Sequence, residues 1–379
     1  MKKLYFLLSV VVAVVIFFVY IGVGEKDNHV TSEETEPVES VKETVDVISN
    51  TDLLNKMPDY EREGKDCQEL DDNIKRGDCF QKVNSSYLMW TLNEEKNEFY
   101  FPYQYEQDHW EDVFYYNIDE NDQLGELQKT DYFEEYEEDT ARVPLGEKVL
   151  EAYWYVFSSI IPKEGRPTLK RIYWTDTGDD FVFGVGREKE NVQDSLLMIS
   201  DNIERYYTEE KAILIHEYGH VLTLNEEQVP FDDILSTEYD ENGEDSEAVE
   251  EAKSKCSTFY SNYGCMNEDS YLYHYYEAFW ADKMDDFDEI DWEAKDDYKD
   301  FFFTYENEFF NSYQGTNPHE DIAESFSFFV MLNSEEIERN DDVKYQKLDF
   351  FYDYNELIDL RAAILENIYL LSVKDGEFY

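Results

Sequence analysis

The alternation of apolar and polar positions becomes regular only beyond about residue 142. The segment VPLGEKVLEAYWYVFSSII (143–161) places apolar residues at helical spacing, and Pro162 and Gly165 end it. LKRIYWTD (169–176) alternates toward a strand and runs into the turn-like TGDD. FVFGVG (181–186) and SLLMISD (195–201) predict further strands. The next segment, EEKAILIHEYGHVLTL, predicts a helix to about Leu224. Thr208 would be its N-cap, with Glu209 and Glu210 near the positive end of the helix dipole. YLYHYYEAFWADKM, DIAESFSFFVML and YNELIDLRAAILENIYLL read as later helices. Strands, then a strong helix, then mostly helical sequence predict an α+β domain over residues 141–379.

The preceding part is organised differently. Lys2 and Lys3 stand before an apolar stretch from Leu4 to Gly24. Crossing a bilayer takes about 20 such residues. Signal-peptide cores run only about 7–15 residues and end at a small-residue cleavage site, which this segment lacks. The reading over 1–24 is therefore a transmembrane anchor, with secretion after signal cleavage as the alternative. Positive charge stays in the cytoplasm, so everything after Glu25 is expected outside it. Residues 25–50 are polar and acidic and read as a flexible stalk. Residues 51–140 yield no function. Within them, 98–117 is dense in aromatics and predicts short strands. NIDENDQLGE (117–126) lacks the glycine and distal glutamate of a calcium loop and reads as an acidic turn.

Charge narrows the function classes. The 379-residue chain carries 90 Asp and Glu against 32 Lys and Arg, a formal net charge of −58. Such a surface repels phosphate backbones, which argues against nucleic acid as a partner. It either attracts basic substrates and cations or is simply well solvated. Aromatic residues make up 17% of the chain, enough for a substantial core and too many for a disordered protein. The cysteines are Cys67, Cys79, Cys256 and Cys265. An even number in an exported chain suggests disulfides. Three connectivities are open, and two short loops, Cys67–Cys79 and Cys256–Cys265, are the simplest. No C-x-x-C spacing supports a cysteine metal site. The residues between about 225 and 268 hold a very acidic insert, expected to be a surface excursion tied down by the second cysteine pair.

The chemistry concentrates in HEYGH, residues 216–220. On a helix, His216 and His220 share a face one turn apart and can grip one metal ion. Glu217 sits beside the first histidine, within reach of a water on that ion. This is the H-E-x-x-H arrangement of zinc peptidases. Zinc lowers the pKa of its water to about 7, and Glu217 would take the proton and pass it to the leaving amine. Two histidines and one glutamate suit zinc well, with another divalent metal left open. A third ligand is needed. Metzincins would place glycine and histidine where this chain has Thr223 and Glu226, so that class is excluded. The candidate lies in SYQGTNPHEDIAESFSFFV (312–330). Asn317-Pro318 is a natural helix entry, Glu320 falls in the first turn, and Glu324 follows one turn later on the same face. His319 is the competing ligand, but adjacent helical residues point about 100° apart. SLLMISD, just before the metal helix, is either an exposed sheet edge able to pair with an extended peptide or a core strand.

These residues resemble the catalytic domain of anthrax lethal factor and its bacterial relatives. In that family a HEFGH-like helix is followed by Y-x-x-T-N-x-x-E-[FD]-x-A-E-x-F. Here the second part is represented by Tyr313, Thr316, Asn317, Glu320, Asp321, Ala323, Glu324 and Phe326. The likeness covers the HEYGH helix, residues 313–330 and, more loosely, the tail to about residue 372. It implies a zincin-like fold, with a small mixed sheet, the metal helix and a mainly helical C-terminal half. It implies Glu320 as third zinc ligand, Tyr313 as a stabiliser of the oxyanion, and Glu324 as the acid that orients a ligand. Nothing in residues 25–140 resembles the translocation or receptor-binding parts of the toxin, so substrate identity does not transfer. The expected protein is an extracytoplasmic zinc endopeptidase acting on a peptide or protein and tied to the membrane by its N-terminal helix. The rival from another class is a catalytically inactive fold of the same kind, serving as a surface binding or adhesion module.

Overall fold

The computed structural model describes residues 50–88, 111–136, 142–177, 183–188, 191–200, 210–232, 247–261, 263–292 and 294–375. The expected anchor (1–24), the stalk to residue 49, His29, His109 and the Thr208 cap lie outside these residues. Among the described residues no helix is long and apolar enough to cross a membrane. Residues Met57–Tyr379 form one compact unit.

That unit is mixed α+β, with a five-stranded sheet and many helices. Strand β1 (Glu111–Ile118) pairs antiparallel with β2 (Leu124–Lys129) and with β3 (Leu169–Asp176). The 117–126 segment is the turn of this first hairpin. The Asp119 carboxylate accepts the backbone N–H groups of Asn121 and Gln123, and Asp122 takes φ 61°. Arg166 holds Asp122 through two nitrogen–oxygen contacts of 2.9 and 3.0 Å. An acidic turn fits this geometry without an ion. The sheet order is β2-β1-β3-β5-β4, with β4 spanning Phe183–Arg187 and β5 spanning Ser195–Ser200.

Of the two readings of SLLMISD, the structure selects the inner strand. β5 runs parallel to β3 on one side and antiparallel to β4 on the other. Its alternate residues Ser195, Leu197 and Ile199 are buried. The residues between them, Leu196 and Met198, are partly buried, so one face of the strand is fully covered and the other only in part. Among the described residues, the sheet ends on this side at β4.

Helices cover the sheet and form the rest of the core. α1 (Asn50–Gln68) and α2 (Asn73–Tyr87) are joined by the Cys67–Cys79 disulfide. α3 (Arg142–Ile160) buries Leu150, Tyr153, Trp154 and Phe157 at spacings of three and four, and packs on β3. α4 (Glu210–Thr223) carries HEYGH and packs on β4. Further along are α5 (Tyr271–Phe279), α6 (Pro318–Met331), α7 (Val343–Asp349) and α8 (Asn355–Asp375). α8 lies against α2 and α3 and buries Leu357, Ile364, Leu365 and Ile368.

α6 is almost wholly buried, and its ends are finished by side chains. Asn317 is its N-cap, accepting from the backbone N–H groups of His319 and Glu320, and Pro318 opens its first turn. At the far end the buried Arg361 guanidinium donates to the Phe329 and Leu332 carbonyls, satisfying groups that a helix terminus leaves open.

Candidate metal centre

α4 and α6 cross at small residues. A Cβ added at Gly219 would lie 2.9 Å from the Ala323 Cα and 3.2 Å from its carbonyl oxygen. Only glycine lets the two backbones come this close. The seam is sealed by Leu214, Ile215, Val221, Ile322 and Phe326, all buried, and by Tyr218 packing edge-on to Phe326. Ser327 donates across the seam to the Ala212 carbonyl at 3.0 Å.

This crossing brings together three candidate ligands from residues remote in sequence. His216 Nε2 lies 3.1 Å from His220 Nε2 and 3.1 Å from Glu320 Oε2, and His220 Nε2 lies 3.2 Å from the same oxygen. Among the described residues, His216, His220 and Glu320 are the group of histidine and carboxylate side chains able to hold a metal ion. Metal–nitrogen and metal–oxygen bonds of about 2.0–2.2 Å at near-tetrahedral angles separate ligand atoms by a little over 3 Å, which matches this triangle. His319, the competing ligand, is not in the group. It packs edge-on to Tyr263, with ring centroids 5.4 Å apart.

The surroundings set the protonation of each member. Glu324 lies one turn beyond Glu320. His216 Nδ1 donates to Glu324 Oε2 at 2.9 Å, and Asn311 Nδ2 donates to the other oxygen at 2.8 Å. A carboxylate can only accept, so Nδ1 carries the proton and Nε2 is left free for a metal. Burial disfavours a charged His216, but the bonds to Glu320 and Glu324 outweigh it and raise its pKa well above the usual value. Burial likewise pushes Glu320 up, and the two imidazoles more than reverse this, leaving it well below the carboxylate range. Glu217 goes the other way. Burial, opposed by the histidines and reinforced by Glu320 and Glu324, lifts its carboxyl above the ordinary value. Its Oε2 is buried and has no hydrogen-bond partner.

Tyr313 precedes a single 3-10 turn, Gln314–Thr316, with its ring centroid 5.7 Å from that of His216. Thr316 ties this turn by donating its hydroxyl to the Tyr313 carbonyl at 2.8 Å. The turn also rests on Asn311, whose Oδ1 accepts from the Gln314 N–H. Asn311 thus joins the Tyr313 turn to the Glu324–His216 pair. No local pattern in the sequence marks it.

Residues 233–246 of the acidic insert lie outside the described residues, and its helix Glu247–Lys255 is mostly exposed. The hairpin that follows it, β6 (Tyr260–Ser261) and β7 (Gly264–Cys265), reaches the site. The Cys256–Cys265 disulfide closes it, and Tyr263 at its turn meets His319 beside Glu320. Burial, with Glu320 and Glu217 nearby, pushes the Tyr263 phenol up to about 12, so it is a neutral hydroxyl at physiological pH. His274 is an exposed residue on α5, within 3.0 Å of the Tyr354 hydroxyl, and takes no part in the site. No family model, curated protein or solved structure matches this chain.

Proposed function

We propose that this protein is a zinc-dependent endopeptidase with a zincin-like catalytic domain, related in design to the catalytic domain of anthrax lethal factor. The observation that carries this reading is the triangle of His216 Nε2, His220 Nε2 and Glu320 Oε2 beside a buried, unpartnered Glu217 oxygen. Two imidazoles and one carboxylate form a three-ligand donor set of the kind catalytic zinc uses, with the remaining position free for water or substrate. A bound zinc ion supplies Lewis-acid polarisation and acidifies water.

The chain's own residues then have distinct tasks. Glu217 takes the proton of the attacking water and returns it to the departing amine. Its raised pKa brings it closer to that of the groups it exchanges protons with, which favours both transfers. Tyr313, beside His216, donates its hydroxyl to the oxygen that gains charge as the scissile carbonyl is attacked. Glu324, itself held by Asn311, fixes the tautomer and ring plane of His216. Among the described residues the sheet ends at β4, whose outer main-chain groups are the place for an extended peptide to pair. The two disulfides support a place outside the cytoplasm, in keeping with the N-terminal anchor read from sequence.

Metal analysis with peptide cleavage tests this reading. Wild type should hold about one zinc per chain and cut members of a peptide library. Glu217→Gln should keep the zinc and lose cleavage by a factor of at least about 100. Glu320→Ala should lose the metal. A folded wild-type chain that takes up no zinc, or a Glu217→Gln variant as active as wild type, refutes the proposal. The first of these results would move the assignment to a binding module.

A further inference from the structure

The cysteine-closed hairpin is tied to the segment that follows α4 and touches α6. On the α4 side, Tyr260 donates to Asp232 at 2.9 Å, and the Asn267 N–H donates to the Gln228 carbonyl at 2.9 Å. Gly264 adopts φ +128°, and a Cβ there would meet the Pro230 carbonyl at 2.7 Å. On the α6 side, the Tyr263 ring meets His319, the chain neighbour of Glu320. Within the hairpin, the Tyr263 N–H donates to the Ser261 hydroxyl and the disulfide closes the base. These ties hold Tyr263 in one place relative to the metal group.

Its polar end is unused. The Tyr263 hydroxyl has no hydrogen-bond partner among the described residues, although the ring is half-buried. His319 is 9% exposed, and its Nε2 is buried without a partner. The hydroxyl itself is not among the buried atoms, so it is open to solvent or to a ligand. Binding sites place a few such polar groups on fixed walls so that the ligand completes them.

We propose that Tyr263 is a substrate-contacting residue beside His319 and Glu320, and that it donates its hydroxyl to a backbone carbonyl of the bound peptide. The Cys256–Cys265 hairpin is then a part of the site that sets substrate affinity. This inference rests on the peptidase reading.

Steady-state kinetics on one cleaved library peptide decide it, with zinc content and thermal midpoint measured on the same full-length samples. Tyr263→Phe should raise KM about three- to tenfold, the worth of one neutral hydrogen bond, with little change in kcat, zinc content or melting. Tyr263→Ala, which also removes the ring, should raise KM further. Joint replacement of Cys256 and Cys265 by serine should raise KM as Tyr263→Ala does, with zinc retained. If wild type is active and both Tyr263 variants keep its KM, the inference fails while the peptidase reading stands. Zinc loss in Tyr263→Phe would make Tyr263 a support of the metal ligands and also overturn the inference. A zinc-loaded wild type that cleaves no peptide removes the peptidase reading and this inference with it.

Discussion

The two helices that meet at the candidate metal centre are held by different forces. α6, carrying Glu320 and Glu324, is fixed by polar groups along its whole length. Asn317 caps its start, Arg361 finishes its end, and the buried Asp321 carboxylate in its first turn pairs with the buried Lys347 ammonium at 2.6 Å. Trp280 Nε1 donates to the same carboxylate at 2.8 Å. α4, carrying His216, Glu217 and His220, rests mainly on apolar packing and on its close approach at Gly219. The difference divides the labour. α6 is a frame specified by buried polar bonds, and α4 is set against it by shape. Damage to the polar ties of α6 should therefore appear first as lost folding. Damage to the α4 seam should appear first as a distorted site.

The largest effect expected from this contrast is at Lys347. Lys347→Ala leaves Asp321 buried and unpaired, and breaking such a pair by removing one partner costs about 3–5 kcal/mol. Urea unfolding of the variant reads this directly. Replacing the pair together, Lys347→Met with Asp321→Leu, should recover most of the loss, because two buried apolar groups carry no stranded charge. A loss below about 1 kcal/mol in Lys347→Ala would place the pair in the class of weak surface bridges and remove the idea of a polar frame.

A smaller effect is expected at the seam. Gly219→Ala forces a methyl into the Ala323 backbone, and overpacking of this kind costs about 1–3 kcal/mol. The added separation of α4 and α6 pulls His216 and His220 away from Glu320, so zinc affinity should fall more steeply than stability. Isothermal titration with zinc, set beside the unfolding curve, sharpens the comparison. Equal zinc affinity in the variant and wild type would mean that the seam does not set the ligand triangle.

What could be read from the sequence follows the same division. HEYGH and the Asn317-Pro318 entry were legible because the spacing of four residues and the capping chemistry are local. The helix of α3 and the strands β3 to β5 were legible from periodicity, and where the described residues include an end it lies within a residue of the expected one. Asp321 with Lys347, Asn311 with Glu324, and Tyr263 with His319 were not legible. Each pair joins separate elements, and no periodic pattern encodes which distant side chain will answer a buried charge. The edge position of SLLMISD was open for a related reason. A short apolar run shows that a strand is buried but not which strand lies outside it.

The finest test of the comparison is the pH dependence of zinc uptake, since it reports what the frame helix does to a ligand on the other helix. Without metal, His216 is held protonated by Glu320 and Glu324, both on α6, so its pKa in the folded chain lies above the unfolded value of about 6.5. That pairing contributes stability fully below the unfolded pKa, and the contribution is lost as pH rises through the folded pKa. Zinc needs the neutral ring. Each metal bound then displaces a proton, and affinity should rise up to tenfold per pH unit, about 1.4 kcal/mol, until the folded pKa of His216 is passed. Zinc titrations from pH 6 upward, run in two buffers of different ionisation heat, count the released proton. Glu324→Gln withdraws one of the carboxylates that raise His216, so the climb should level off at lower pH in that variant. A flat affinity across this range in wild type would show that α6 does not hold the proton on His216, and the frame would then act on the site through position alone.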